Sequence, residues 1–264
     1  MLTEHSLKVV AYGAGTNSTA MLIGFRDRGI IPDLILFADT GGERPETYEH
    51  LKQVSEWCVK NGFPEIITVQ QVNKHGEKIT LEGLCLKNKM LPSIAYGYKG
   101  CSLKHKRAPQ DKYVNNYQSA KKIWKSGGKV TKFIGYDFDE QRRAKIKDDD
   151  KYIYSYPLID WKWGRDECIE AIEKEGIKKP GKSACFFCPS SKPKEILELK
   201  EKHPELLERA VAMEKNANLT SIKGLGRNYS WGDLIMFTGK QQDMFKDTRP
   251  VNIEVDCGCY DGED

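Results

Sequence analysis

The stretch VVAYGAGTNSTAML, residues 9–22, predicts a buried β-strand that passes through a turn of small residues into an α-helix. The backbone N–H groups of such a turn, together with the N-terminus of the following helix, form a site for a phosphate or another anion. This turn carries no lysine to hold a phosphate and no aspartate to hold a magnesium ion. The candidate phosphate-binding residues are Gly13, Ala14, Gly15, Asn17 and Ser18.

Alternating strand and helix patterns continue from this stretch along most of the chain. Their short spacing predicts an α/β fold of the Rossmann-like class, with a mainly parallel five-stranded sheet and helices on both faces. Ligands of such sheets bind at the carboxyl ends of the strands. Residues 192–217 predict two helices separated by Pro204. We also expect a helical C-terminal extension after them. The predicted strands are residues 7–13, 32–39, 65–70, 129–137 and 152–160, and the predicted helices are residues 17–29, 45–61, 164–177 and 192–217.

The composition is typical of a water-soluble globular protein, with 39% hydrophobic and 30% charged residues in a chain of 264. The chain has no run of about 18 apolar residues and no signal-peptide pattern, so we expect a cytoplasmic protein without a membrane segment. A net charge of +4 does not by itself indicate a nucleic-acid-binding protein. We expect a nucleotide-binding domain over residues 1–217, with an irregular, cysteine-bearing insertion at about 75–120, and a C-terminal extension over 218–264 packed on it.

A second motif follows the second predicted strand. FADTG at residues 37–41, followed by PET at residues 45–47, resembles the second motif of the adenine nucleotide α-hydrolase (PP-loop) superfamily, most closely its phosphoadenylylsulfate (PAPS) reductase branch. The turn at residues 13–18 stands at that family's phosphate loop, although in a degenerate form. The resemblance implies an adenine nucleotide as ligand, and it implies that Asp39, Thr40 and Gly41 flank the nucleotide.

Two later segments extend the resemblance, which covers about residues 8–190 and the tail. GYDFDEQRRA at residues 135–144 and YPLIDW at residues 156–161 are similar to conserved segments of the PAPS reductase family. One departure is Asp137, which stands where that family has an arginine near the substrate anion. The candidate residues for the sulfate or phosphate are Lys106, Arg142 and Arg143.

Eight cysteines are many for a cytoplasmic chain, in which structural disulfides are rare. Cys58 and Cys168 lie on helix-like stretches, where we expect them to pack in the core. Cys185 and Cys188 form a Cys-x-x-Cys pair that can bind one metal, and Cys101 would supply a third ligand from the insertion. Four thiolates suit either a tetrahedral zinc ion or a [4Fe–4S] cluster.

CSLKHKRAP at residues 101–109 and CFFCP at residues 185–189 resemble the cysteine segments of iron–sulfur sulfonucleotide reductases. That resemblance favours [4Fe–4S] over zinc, although Ser102 replaces the second cysteine of the tandem pair. Cys85 is the expected fourth ligand, because it shares the insertion with Cys101 and leaves the tail free; the alternatives are Cys257 and Cys259. The expected metal ligands are therefore Cys85, Cys101, Cys185 and Cys188.

The resemblance implies a sulfonucleotide reductase. DCGCYDG at residues 256–262 is similar to the tail that carries that family's nucleophilic cysteine, which makes Cys257 the expected catalytic residue; Tyr260 replaces the tail histidine. Such an enzyme holds PAPS or the related APS, forms a thiosulfonate on the cysteine and releases sulfite with a thiol reductant such as thioredoxin. The absence of lysine and aspartate from the turn favours this function, because it indicates nucleotide binding without phosphate cleavage.

Two alternatives stay open on the sequence alone. One is an ATP pyrophosphatase that adenylates its substrate with ATP and Mg²⁺ and acts in the thiolation of tRNA or DNA. The basic cluster at residues 104–107 keeps such a nucleic-acid partner open. The other is a non-catalytic nucleotide-binding or redox-sensing module.

Overall fold

Five parallel strands form one sheet in the computed structural model, which describes residues 6–237. The apolar runs that form the inner strands are buried on both faces, as a parallel sheet requires. The strands are β1 (Lys8–Tyr12), β2 (Leu34–Asp39), β3 (Ile66–Gln70), β4 (Val130–Ile134) and β5 (Tyr152–Ser155). Their order is β3-β2-β1-β4-β5, so the chain reverses direction across the sheet at β1 and leaves a crevice between the carboxyl ends of β1 and β4. The prediction of a five-stranded parallel sheet is confirmed.

Helices cover both faces of the sheet, as predicted. Val10 and Tyr12 pack on one face, in a cluster with residues of the helices at 16–27, 45–60 and 165–174. Val9 and Ala11 pack on the other face, with residues of the helices at 108–116 and 118–125. Within residues 6–237, no helix is both long and apolar enough to cross a membrane. The helices are α1 (Thr16–Asp27), α2 (Pro45–Lys60), α3 (Leu81–Lys87), α4 (Gly100–Ser102), α5 (Ala108–Asn116), α6 (Gln118–Lys125), α7 (Pro157–Asp160), α8 (Arg165–Lys174), α9 (Pro193–Lys202), α10 (Pro204–Asn216) and α11 (Trp231–Phe237).

A third apolar cluster lies beyond the sheet and contains α3, residues 184–188 and the C-terminal helices α9 to α11. One buried carboxylate fixes its C-terminal part. Glu214 accepts the backbone N–H groups of Leu225 at 2.6 Å, Trp231 at 3.0 Å and Gly232 at 3.1 Å. The described part of the C-terminal extension therefore packs on the helices that precede it.

The structure corrects three local expectations. The insertion at about 75–120 is mostly helical rather than irregular: it contains α3 to α6, 3₁₀ turns at Ser93–Tyr96 and a π-helix at Leu103–Arg107. The predicted fifth strand ends at Ser155, because Pro157 opens α7 at the first helical position, where its missing N–H is tolerated. Helix α1 begins at Thr16, slightly earlier than predicted. Cys58 and Cys168 are fully buried in the core, as expected.

Candidate functional site

The turn between β1 and α1 lines a cavity of about 200 Å³ at the carboxyl edge of the sheet, which we call the phosphate cavity. Gly15 is the N-cap of α1, so the first N–H groups of the helix lack intrahelical partners at this point. Ser18 Oγ accepts the N–H groups of Gly13 at 3.2 Å and Gly15 at 3.3 Å, which closes the turn. Ala14 has a left-handed backbone, with φ of +54°. The buried Thr16 hydroxyl has no hydrogen-bond partner among the described residues.

The phosphate cavity is strongly charged, although the turn itself is not. Lys182, Arg143 and Arg165 line it together with Glu140. All four come from segments far from the turn in sequence. Folding therefore supplies cations that the turn itself lacks, and Arg143 is the one among them that the sequence predicted.

Asn17 connects two of these charges, Glu140 and Arg165, with a third, Asp137. Its Nδ2 donates to Asp137 Oδ2 and to Glu140 Oε2, both at 2.9 Å, and its Oδ1 accepts from Arg165 Nη1 at 3.0 Å. Burial raises the pKa of Asp137, and the hydrogen bond from Asn17 opposes that rise. Two carboxylates thus lie directly beside the turn, and carboxylate oxygens are the ligands that Mg²⁺ prefers.

A bridging segment, residues 178–183, lies beside the turn. The Ser183 hydroxyl donates to the carbonyl oxygen of Gly13. Lys182 Nζ donates to the Ser190 carbonyl at 3.0 Å and to Glu195 Oε2 at 2.8 Å. The segment continues directly into the Cys-x-x-Cys pair, so one stretch of chain joins the phosphate turn to the cysteines.

The predicted nucleotide-flanking residues form a tight turn after β2. Asp39 Oδ1 accepts the N–H of Gly41 at 2.7 Å and the Tyr48 hydroxyl at 2.9 Å. Gly41 has φ of +73°, which favours glycine at this position. Thr40 Oγ1 lies 3.0 Å from Cys185 Sγ. The structure thus brings Thr40 to the cysteines, and none of the three residues lines the phosphate cavity.

Three of the predicted metal ligands meet at one small cavity of about 20 Å³, which we call the thiol cavity. Cys101, Cys185 and Cys188 line it, together with Thr40 and Lys106. The N–H of Cys188 donates to the carbonyl of Cys185 at 3.0 Å, which closes the Cys-x-x-Cys turn. Sequence spacing alone could not show that the insertion brings Cys101 to this turn.

Cys85 is buried in the same apolar cluster as Cys185 and Cys188. Burial raises the pKa of Cys85 to about 12, and the nearby Cys101 adds to the rise. The donor chemistry fits a thiolate-binding metal, but in the described part of the chain no three His, Cys, Asp or Glu side chains are already arranged as a metal site. The four-cysteine site stays a prediction. The predicted nucleophile, Cys257, lies outside the described residues. The alternative metal ligands, Cys257 and Cys259, lie there as well.

The three candidate cations for the substrate anion occupy different places. Arg143 lines the phosphate cavity, with its guanidinium 4.4 Å from the centre of the Tyr136 ring. Arg142 is exposed and does not line that cavity. Lys106 lines the thiol cavity instead, and its Nζ lies 3.6 Å from Glu43 Oε1, with both side chains buried. Because His105 is buried as well, half of the basic cluster at residues 104–107 is withdrawn from solvent.

Sequence analysis missed Lys182, Ser183 and Arg165 as site residues. Lys182 and Ser183 occur in GKSACFFC, residues 181–188, where a glycine, a cation and a hydroxyl directly precede the Cys-x-x-Cys pair. That adjacency is a pattern that could have drawn attention to them. Arg165 starts α8 in an ordinary amphipathic helix, and no local pattern distinguishes it.

The chain shows limited similarity to known proteins. No protein-family model matches the chain. The uncharacterised protein MJ0973 of Methanocaldococcus jannaschii is 23% identical over 216 residues, which is 78% of this chain and 47% of that protein. The chain thus spans about half the length of the curated relative it matches. The solved U34-tRNA thiolase NcsA from Methanococcus maripaludis with its [4Fe-4S] cluster superposes with a TM-score of 0.43 and 16% identity, over 80% of this chain and 72% of that one. A likeness at that TM-score carries no argument about function.

Proposed function

We propose that the protein is an adenylating enzyme that binds ATP with Mg²⁺ at the phosphate cavity and cleaves the bond between the α- and β-phosphates. One observation carries the proposal: folding surrounds a charge-free turn with Lys182, Arg143 and Arg165. Cleavage of this bond develops negative charge on the leaving pyrophosphate, and fixed cations stabilise that charge.

The residues of the cavity divide into three roles in this proposal. The turn and the first N–H groups of α1 bind a phosphate. The cations hold the rest of the triphosphate. Asp137 and Glu140, which both accept hydrogen bonds from Asn17, are the residues that would hold Mg²⁺. A magnesium ion bound there would neutralise phosphate charge during cleavage.

The adjoining cysteines favour sulfur transfer as the purpose of the adenylation. Cys101, Cys185 and Cys188, with Cys85 as the expected fourth ligand, would hold a [4Fe–4S] cluster or a zinc ion. Four thiolates would close such a centre, whereas three, with Cys85 left out, would leave one metal position open to a sulfur atom. Residues 181–188 run from the phosphate cavity to the thiol cavity, so activation and sulfur supply belong to one continuous site. The acceptor in this proposal is a nucleic acid.

This proposal replaces sulfonucleotide reduction, the function first expected. The expected nucleophile, Cys257, lies outside the described residues and supports neither function. The two carboxylates beside the turn would repel a sulfonucleotide bound without a metal, whereas they assist a triphosphate bound with Mg²⁺. An adenylating enzyme does not need thioredoxin, which was expected as a partner only for the reductase.

The test compares two lysine variants with the wild-type protein. Lys182→Ala should weaken MgATP binding about tenfold to a hundredfold, the effect of losing one charge-assisted contact, and it should reduce ATP–pyrophosphate exchange. Lys200→Ala, an exposed lysine on α9, is the matched control and should change neither quantity. If Lys182→Ala binds and exchanges like the control, the cations of this cavity do not hold a triphosphate and the proposal fails.

A further inference from the structure

A larger cavity of about 610 Å³ adjoins the phosphate cavity. It lies among the first half of α2, helix α9 and the bridging segment, and Gly181 and Lys182 line both cavities. Ala14 of the phosphate turn lines it too. Its volume lies within the range of about 300–1000 Å³ that small-molecule sites occupy. We refer to it as the second cavity.

The charges of the second cavity are mixed, which bears on the kind of ligand it fits. Two of its four carboxylates are already paired with lysines: Glu195 with Lys182 at 2.8 Å and Glu198 with Lys202 at 3.6 Å. A polyphosphate or a nucleic-acid backbone, which carries only negative charge, would meet several carboxylates there. A ligand that carries both signs of charge is a better complement. The cationic lining residues are Arg44, Lys178, Lys179, Lys182 and Lys202, and the acidic ones are Glu46, Glu49, Glu195 and Glu198.

Two lining residues on either side of Pro45 each keep one polar atom without a partner. Arg44 Nη2 donates to the Glu195 carbonyl at 3.4 Å, whereas Arg44 Nε is buried and has no hydrogen bond within the described residues. Glu46 Oε1 lies 2.8 Å from His203 Nε2, whereas Glu46 Oε2 is buried and equally unpartnered. Buried donors and acceptors in folded proteins are nearly always satisfied, so this pair needs an explanation.

Both residues keep their charges at neutral pH. Arginine is always protonated in proteins. Burial alone would raise the pKa of Glu46, but the hydrogen bond from His203 and the backbone at the start of α2 hold it below its usual value. A cation and an anion therefore stand side by side at the start of α2, and the positive end of that helix favours a bound carboxylate.

We propose that the second cavity binds an α-amino acid, with its carboxylate on the guanidinium of Arg44 and its ammonium on the carboxylate of Glu46. A zwitterion of this kind satisfies the unpaired donor and the unpaired acceptor together. Because the cavity reaches Ala14 and Lys182, the amino acid lies next to the phosphate turn. Its place beside a bound nucleotide rests on the proposed function, whereas the binding site does not.

The first experiment measures thermal unfolding of the full chain, without nucleotide, in the presence of each standard L-amino acid. At least one should raise Tm, because it binds the folded protein only. Isothermal titration then compares that amino acid with its decarboxylated and its deaminated analogues. Each analogue lacks one charge and should bind at least about tenfold more weakly. If no amino acid binds, or if an analogue binds as tightly as the parent, the proposal is overturned.

Three variants locate the site. Arg44→Ala and Glu46→Gln should each weaken binding at least about tenfold. Glu56→Gln, an exposed glutamate farther along α2 that does not line the cavity, is the matched control and should bind like wild type. Equal binding by all three variants would place the ligand elsewhere, and circular dichroism shows whether each variant is folded. A protein that binds an amino acid but releases no pyrophosphate from ATP would keep this site and refute the proposed function; the converse result would refute the site alone.

Discussion

Replacing Gly135 with alanine should damage nucleotide binding by displacing the phosphate turn. Gly135 follows β4, and a Cβ atom built there would lie 3.0 Å from both Cα and N of Ser18 and 3.2 Å from the carbonyl carbon of Asn17. Carbon atoms in contact are ordinarily about 3.5–4.0 Å apart. The start of α1 must therefore retreat by about 0.5 Å, the difference between these distances. All the clashing atoms are backbone, so no side-chain rotation relieves them.

A shift of that size moves the N–H groups that hold the phosphate. Displacements of about 1 Å in a site can cost about a hundredfold in function, so we expect MgATP affinity to fall about tenfold in Gly135→Ala. Overpacking should also lower the free energy of unfolding by about 1–3 kcal/mol. The assay is isothermal titration with MgATP, alongside denaturant unfolding.

Gly232→Ala is the matched control, because its Cβ would meet its nearest neighbour, Val211 Cγ1, at 3.6 Å, an ordinary contact. It lies on α11, away from the turn, and should bind MgATP like wild type. If Gly135→Ala also binds MgATP with wild-type affinity, then the phosphate does not sit on the first N–H groups of α1. That result would refute the reasoning.

Three further results are expected. Burial lowers the pKa of His50 to about 4, so between pH 6.5 and 4 the unfolded chain binds a proton that the folded protein excludes. The free energy of unfolding should therefore fall by up to about 3 kcal/mol as the pH falls from 6.5 to 4, and His50→Gln should reduce that fall. Glu214→Ala leaves three N–H groups within residues 225–232 without their acceptor, and should lower the free energy of unfolding by about 3 kcal/mol in urea. Cys185→Ser should lower the iron or zinc bound per chain after anaerobic purification.

Each of these predictions has its own control. If the free energy of unfolding falls equally with pH in wild type and in His50→Gln, then His50 is not the titrating group. Glu214→Gln keeps one carbonyl acceptor and should lose less stability than Glu214→Ala; no loss in either variant would contradict the proposed anchoring of the C-terminal part. Cys58→Ser changes a core cysteine far from the thiol cavity and should retain its metal, whereas full metal content in Cys185→Ser would remove that residue from the site.

Local sequence patterns were sufficient to predict the strands of the sheet but not the helices of the insertion. The β1 and β2 segments are apolar on both faces, which is typical of strands buried in a parallel sheet, and they were predicted closely. The insertion has frequent lysine, proline and glycine, which masked its helices. Its π-helix at Leu103–Arg107 buries Lys106 against Glu43, a tertiary ion pair that no local pattern reveals.

The charges of the candidate site were beyond sequence analysis for a different reason. Asn17 and Arg165 are 148 residues apart, yet they share a hydrogen bond of 3.0 Å. Lys182 reaches the phosphate cavity only because the bridging segment crosses the turn. Reasoning about the turn in isolation therefore missed Lys182 and Arg165, two of the cations on which the proposed adenylation rests.

The most direct test of the account is to identify the products formed from each nucleotide. Anaerobically purified protein is incubated with Mg²⁺, ATP labelled in its α- and γ-phosphates, inorganic sulfide as the sulfur donor and cellular RNA or DNA, and in parallel with PAPS and a thiol reductant. The account predicts AMP and pyrophosphate from ATP, at a rate that Lys182→Ala reduces, and no sulfite from PAPS. Sulfite from PAPS, with ATP left intact, would contradict the account and restore the reductase.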